Sequence, residues 1–353
     1  MRRKIEKVLL VSAVGPFAIG ESFLRALAGS GRKAACVNSL DYFPLGYGRA
    51  GRLLRRLNRR RLTENYNRAV RENALWMKPD LLLVTKGNLV RPETLSLIRR
   101  ESPGTLLVNV NYDDFFSPSP GNRFPDLERI VPLYHWIFPA KRANVEELRG
   151  LGAERVHYLP LGYDGSAHFP VRPAKELEER FGSQLVFAGT YTPDRARLLS
   201  ALHGFSLSIW GAYWNRAKSG PELRREVKRT GDGRIVRGAE LSAILNASPI
   251  GLNFLRGENR DTHNHRSFEL PACGVFTLSE RSEELGEFFA EGKEIACFSS
   301  PEEMREKARY YLENSREREA IARAGHLRVG EGKHTIRNRV EKMLEIIGRG
   351  DPS

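Results

Sequence analysis

Residues 263–274 read His-Asn-His-Arg-Ser-Phe-Glu-Leu-Pro-Ala-Cys-Gly, so two histidines, an arginine and a glutamate come directly before a run suited to packed interior. Burying a carboxylate without a partner is expensive, so Glu269 requires a cation, a ligand or both. The stretch follows an apolar segment, 250–255, and opens a helix near Arg266. A helix start offers unpaired N–H groups and a partial positive charge, which suits phosphate. Arg266 adds a planar fork that matches phosphate oxygens. Glu269, one turn on, has two oxygens for the two hydroxyls of a ribose. Arginine and glutamate so placed can hold both halves of a nucleoside diphosphate. The same spacing permits a plainer arrangement, an internal Arg266–Glu269 pair worth about 0.2–0.5 kcal/mol. Residue types and spacing leave both open.

Other residues offer complementary chemistry. In Phe-Ala-Gly-Thr-Tyr-Thr-Pro-Asp-Arg-Ala-Arg (187–197), a strand ends at Gly189, where a missing side chain lets phosphate approach the backbone. Arg195 and Arg197 begin the next helix and can neutralise a leaving diphosphate without a metal; solvated helix arginines are the alternative. The set expected to bind a donor is Gly189, Thr190, Arg195, Arg266, Ser267 and Glu269. Gly15 and Gly20 punctuate the loop after the first strand, where they can admit a phosphate or simply make a tight turn; the loop is neither GxGxxG nor a P-loop. Asp113 and Asp114 end a strand, and Asp114 is the candidate base or acceptor-hydroxyl ligand, with capping or turn formation as the plainer role. His263 and His265 are two apart, but no third ligand follows at suitable spacing, so no metal site is expected and contact with sugar or diphosphate is. His334, ahead of the final helix, reads as a structural cap or a domain-crossing contact. No Ser-His-Asp, Walker or zinc motif occurs.

The elements that must position these residues alternate. Apolar runs at 7–13, 34–40, 79–87, 104–114, 136–140 and 155–162 read as strands separated by helices, as in a parallel sheet covered on both faces. Turn formers and two prolines mark a linker over 163–176. A second series has strands at 184–190, 207–211, 250–255, 275–279 and 295–299, and the chain ends in helices. At 353 residues the chain exceeds one ordinary core. The expected fold class is therefore α/β with two Rossmann-like domains, 1–165 and 166–333, and 334–353 as a helix packing back toward the first. Ligands in such sheets bind beyond the carboxyl ends of the strands.

Net charge is +14, and seven arginines with no acid fall between Arg49 and Arg61. That segment is amphipathic: it is either a solvated basic face or a peripheral contact with an anionic membrane. Nucleic acid is not expected, since no recognition motif or stacking array accompanies the charge. No stretch approaches the ~20 apolar residues of a membrane span. The N-terminus reads as a first strand rather than a signal peptide. Cys36, Cys273 and Cys297 are odd in number and sit in apolar runs, which suits reduced core cysteines in a cytoplasmic protein, either free or peripheral at the inner membrane face.

From about Gly189 onward, Arg-Ser-Phe-Glu-Leu-Pro-Ala-Cys-Gly-Val-Phe-Thr-Leu-Ser-Glu (266–280), the helix Glu-Glu-Met-Arg-Glu-Lys-Ala-Arg-Tyr-Tyr-Leu-Glu-Asn and the later His-Thr-Ile-Arg-Asn-Arg-Val resemble the spore-maturation CgeB-like glycosyltransferases of the GT-B class. The linker Tyr-Leu-Pro-Leu-Gly-Tyr-Asp-Gly-Ser-Ala-His-Phe-Pro-Val resembles a GT-B signature, and the N-terminal half matches more weakly. The resemblance implies two domains facing a central cleft, 1–165 for the acceptor and 166–333 for the nucleotide sugar, and no cofactor beyond a nucleotide-sugar co-substrate, expected to be a UDP-sugar. It further implies a glycan, lipid-linked or protein acceptor and a retaining, metal-independent hexosyl transfer. Asp261 precedes Glu269 by eight, where many such enzymes carry a sugar-contacting glutamate; the shorter aspartate departs from that pattern and equally suits a loop brace. Asp114, Asp261 and His265 are the catalytic candidates. A GT-B-like fold that binds nucleotide or glycan without turnover is the alternative.

Overall fold

Runs of buried aliphatic residues build two parallel sheets in the computed structural model, which describes residues 4–15, 18–43, 57–119, 121–216, 220–231 and 233–350. The chain divides into two compact units: Met1–Leu161 with Gly257–Arg260 and Ile336–Ser353, and Gly162–Arg256 with Asp261–Thr335.

In the first unit the strands are β1 (Lys7–Ser12), β2 (Lys33–Asn38), β3 (Leu81–Thr85), β4 (Leu106–Asn111) and β5 (Trp136–Pro139). They lie in the order β2-β1-β3-β4-β5, every neighbour parallel. All five side chains of β3 are buried, as expected for a strand covered on both faces. Helix Ile336–Arg349 belongs here. Its Ile336, Val340, Met343, Leu344 and Ile347 recur at helical spacing and join Phe23, Ala26 and Leu27 of helix Ile19–Gly29 in one apolar cluster.

In the second unit β6 (Leu185–Ala188), β7 (Leu207–Trp210), β8 (Ile250–Asn253), β9 (Phe276–Glu280) and β10 (Ala296–Phe298) take the order β10-β9-β8-β6-β7, again all parallel. Each strand-to-strand crossover carries at least one helix, which is the doubly wound arrangement that the alternation predicts. Two expectations need correction. Residues 155–162 contribute only an isolated bridge from Val156 to Ile137 rather than a strand: the Leu159 N–H still donates to the Pro139 carbonyl, but Pro139 has no N–H to return, so the ladder is left incomplete. The basic segment from Arg49 lies mostly outside the described residues; helix Arg59–Met77 is its described continuation. Cys273 and Cys297 are buried, Cys36 is half-buried, and all three are free thiols.

Candidate functional site

The carboxyl ends of β6 and β8 gather most of the expected donor set. Beyond β6, the carbonyl of Gly189 accepts from the Trp214 indole at 2.7 Å, and Gly211 closes against it. Gly211 has φ 134°, and a Cβ there would stand 2.0 Å from the Gly189 carbonyl oxygen, so only glycine fits this approach. Thr192 caps the following helix, Pro193–Ala201, by accepting from the Arg195 N–H. Arg195 itself is neither solvated nor extended outward. It is 7% exposed, lies over the Phe187 ring, and donates to the carbonyls of Thr190 and Phe254, each at 2.9 Å. One buried guanidinium thus ties the loop after β6 to the end of β8. Arg197 is exposed, with Asp194 at 3.7 Å.

Helix Arg266–Ala272 follows β8, and its start differs from the expected phosphate cradle. Asn264 and Ser267 cap each other reciprocally: the Ser267 N–H donates to Asn264 Oδ1 at 3.2 Å, and the Asn264 N–H donates to Ser267 Oγ at 3.1 Å. The N–H groups of Phe268 and Glu269 already donate to the His265 carbonyl. The first-turn donors at 267–269 are therefore taken. Ser267 also accepts from Asn253, which fixes the helix start to the end of β8.

Arg266 and Glu269 are paired, which is the plainer of the two arrangements the spacing allowed. Arg266 Nη1 stands 2.6 Å from Glu269 Oε2, and the two side chains are 18% and 13% exposed. The contact is Coulombic rather than an aligned hydrogen bond, since Nη1 is buried and makes no hydrogen bond, while Nε donates to the Ala188 carbonyl at the end of β6. His168 adds a second neighbour, its Nε2 3.5 Å from Glu269 Oε1. Burial pushes the Glu269 carboxyl up, yet Arg266, His168 and His265 together outweigh it and hold the group below its ordinary value. Burial pushes the His168 imidazole down, against the pull of Glu269. The outcome is an ionised, nearly buried acceptor beside a guanidinium nitrogen with hydrogen-bonding capacity left. His265 is held by Nδ1 against the Gly162 carbonyl at 2.8 Å; a carbonyl only accepts, so Nδ1 carries the proton there.

The remaining candidates sit elsewhere. Asp261 has a side chain 1% exposed, accepting at Oδ2 from the backbone N–H and Nε of Arg256, each at 3.2 Å; it braces the loop 256–261, which was the alternative to sugar contact. His263 is fully buried, 3.4 Å from Glu284 and edge-on to Phe268 and Phe288, so contact with a sugar or diphosphate is corrected to a packing role. His334 lies tilted against the Phe268 ring, with centroids 5.0 Å apart. In the first unit Asp114 is 2% exposed and accepts from Arg260 Nε and Nη2 at 2.5 and 2.7 Å, from Asn144 at 2.8 Å and from the Phe116 N–H at 2.9 Å. Burial pushes its carboxyl up, but these donors outweigh it and leave the group lowered. A carboxylate with its lone pairs so occupied is a poor proton acceptor, so the expectation of a base at Asp114 is corrected to an anchor. Arg260 turns its other face to Glu147, at 2.7 and 2.8 Å. Asp113 pairs with Lys86 at 2.9 Å. A Cβ on Gly20 would meet the Ala13 carbonyl at 2.4 Å, so that glycine serves packing against the end of β1, and the Gly15 carbonyl accepts from Ala18. Among the described residues no group of three or more His, Cys, Asp or Glu side chains is placed to hold a metal ion. No helix among them is long and apolar enough to cross a membrane.

His168, Asn264, Glu147 and Arg260 escaped sequence reading. Asn264 carried a signal, the Asn-x-x-Ser spacing of a mutual cap at a helix start. Arg260 and Glu147 carried none, being 113 residues apart.

Residues 195–345 match a family model described as glycosyl transferase-like. No curated protein matches the chain in sequence. Solved structures do match in shape. Sucrose-phosphate synthase of Thermosynechococcus elongatus superposes with a TM-score of 0.66 at 13% identity, over 96% of this chain and 98% of that one. HepE of Anabaena, solved with UDP-glucose, gives 0.62 at 12% identity over 96% and 98%. The trehalose-6-phosphate protein of E. coli, solved with UDP-2-fluoro glucose, gives 0.65 at 14% over 99% and 100%. At such identities the likeness establishes the fold, which is the GT-B fold of two Rossmann-like domains. Fold and family match together define the class, a glycosyltransferase of GT-B architecture. The region matched by the family is the one that carries Arg195, Asp261, Arg266 and Glu269.

Proposed function

We propose that the protein transfers a hexose-type sugar from a UDP-sugar to a hydroxyl of a glycan, lipid-linked or protein acceptor, as a CgeB-like enzyme working in the cytoplasm. The carrying observation is Glu269, nearly buried yet held ionised, beside an Arg266 nitrogen that is buried without a hydrogen bond at the carboxyl end of β6. In this reading Glu269 accepts from the ribose hydroxyls, Arg266 leaves its pairing to meet the diphosphate, and Gly189 and Thr190 admit phosphate at the strand end. Arg195 holds those two loops in place, and Ser267 fixes the helix. His265 contacts the sugar or diphosphate. The second unit binds the donor and the first the acceptor. HepE and the E. coli protein were solved with UDP-sugars, which supports this choice of donor.

Transfer is read as retaining and metal-independent, since the Arg266 guanidinium supplies positive charge beside the diphosphate. The bond from the sugar's anomeric carbon to the diphosphate breaks, the acceptor oxygen bonds to that carbon, and the acceptor's proton passes to the departing phosphate. No protein base is required, which accords with the occupation of Asp114. The same occupation, with that of Asp261 by Arg256, favours a second reading in which the protein binds nucleotide or glycan without turnover.

Thermal unfolding against UDP-, GDP-, ADP- and TDP-sugars, followed by donor hydrolysis, tests both. A ligand at a hundred times its Kd stabilises by about 2.7 kcal/mol, and Glu269→Gln and Arg266→Ala are expected to abolish the shift and the hydrolysis. Stabilisation without product across the panel supports the second reading. No stabilisation by any nucleotide sugar sinks the transfer reading and reduces the second to binding of glycan alone.

A further inference from the structure

The chain holds four tryptophans. Trp136, Trp210 and Trp214 are buried, whereas Trp76 is 85% exposed. Trp76 lies in the last turn of helix Arg59–Met77, whose Tyr66, Ala69, Val70 and Ala74 pack into the first unit's core. The helix carries five arginines against two glutamates, and Arg59, Arg60, Arg61, Arg68, Glu72 and Trp76 are all exposed. At 3.6 residues per turn, Arg61, Arg68 and Glu72 fall within roughly 40° of one another, with Trp76 on the same side and roughly 22 Å along the axis from Arg61. Glu64 is engaged by Arg60 at 3.1 Å and offsets one of the arginines. Leu57, just ahead of the helix, is 72% exposed.

A large apolar ring left in water at the end of a basic face is unusual, because indole gains by leaving water while its N–H stays wet. That combination matches the headgroup level of a membrane, where tryptophan concentrates and arginine meets phosphate. Nucleic acid fits less well: a single-strand groove stacks successive bases on several aromatic rings, and here Trp76 is the one exposed ring of the helix. We propose that helix Arg59–Met77 docks the protein on anionic lipid headgroups, with Trp76 at the headgroup–acyl boundary and Arg61 and Arg68 on phosphates. This goes beyond the donor-site reading and does not depend on it.

The buried state of the other three tryptophans makes the test direct, since iodide quenching of the full-length chain reads Trp76. With phosphatidylglycerol-containing vesicles, Trp76 emission is expected to shift to the blue and lose its quenching; with pure phosphatidylcholine vesicles it is not. Salt weakens the effect. Co-sedimentation should fall about fivefold for each of Arg61→Ala and Arg68→Ala, and Trp76→Ala should also lower it, with far-UV dichroism and any UDP-sugar stabilisation unchanged. Unaltered emission on anionic vesicles, equal responses to both lipids, or a shift produced by single-stranded RNA and not by vesicles would each overturn the proposal. The UDP-sugar stabilisation reports the donor site separately, so the two failures are distinguishable.

Discussion

Replacing Asp114 separates an anchor from a base. Its carboxylate, 2% exposed, accepts from two Arg260 nitrogens, Asn144 and the Phe116 N–H. Removing one partner of a buried ion pair costs about 3–5 kcal/mol. Arg260 is 39% exposed and keeps both bonds to Glu147, so water and Glu147 soften the loss; about 2–3 kcal/mol is a fair discount. At about 2–4 °C per kcal/mol for a domain of this size, Asp114→Ala should lower Tm by roughly 4–12 °C. Asp114→Asn keeps the shape but turns a donor toward donors, so most of that loss remains. A pH dependence accompanies it. The folded carboxyl is held below its ordinary value of 3.8, so its contribution is complete above that pH and is lost as pH falls further. The variant should lack that acid slope. Circular dichroism melts and donor turnover, measured on the same preparations, decide the matter. An Asp114→Asn protein that melts with the wild type but has lost turnover would refute the anchor and restore the base.

Two further outcomes follow from the second unit. Arg195→Lys cannot hold the Thr190 and Phe254 carbonyls together with one ammonium, so stability should fall by about 1–2 kcal/mol in urea titration, and UDP-sugar stabilisation should shrink with it. Burial lowers the His168 pKa from 6.5 despite Glu269, so wild-type stability is complete above that pH and declines as pH falls below it. Melts across roughly pH 5 to 7 should show this decline, and His168→Gln should flatten it.

The helix opening at Arg266 illustrates how far local pattern reaches. Its position, the buried face of Phe268 and Leu270 and the turn at Gly274 follow from neighbours in sequence. The expectation of open N–H groups failed because Asn264 and Ser267, three apart, satisfy each other. Arg195 was legible as a cation near a strand end but not as a buried one, since the carbonyl it reaches at Phe254 is 59 residues away. Asp114 at a strand end and Asp261 in a loop are legible as acids from their neighbours, but the cations that occupy them, Arg260 and Arg256, are not.

The amino-acid order by itself determined all the strands but the one expected at 155–162, the helices and the paired Rossmann-like plan, because apolar periodicity and turn residues act between near neighbours. It also carried the likeness to glycosyltransferases, which lies in contiguous blocks. Which cation each buried acid meets was decided only on folding. Arg260 reaches Asp114 across 146 positions, and His168 reaches Glu269 with β6, β7 and β8 between them in the chain. Coulombic pairing depends on distance in space and on the water excluded around it, and neither quantity is written in spacing along the chain.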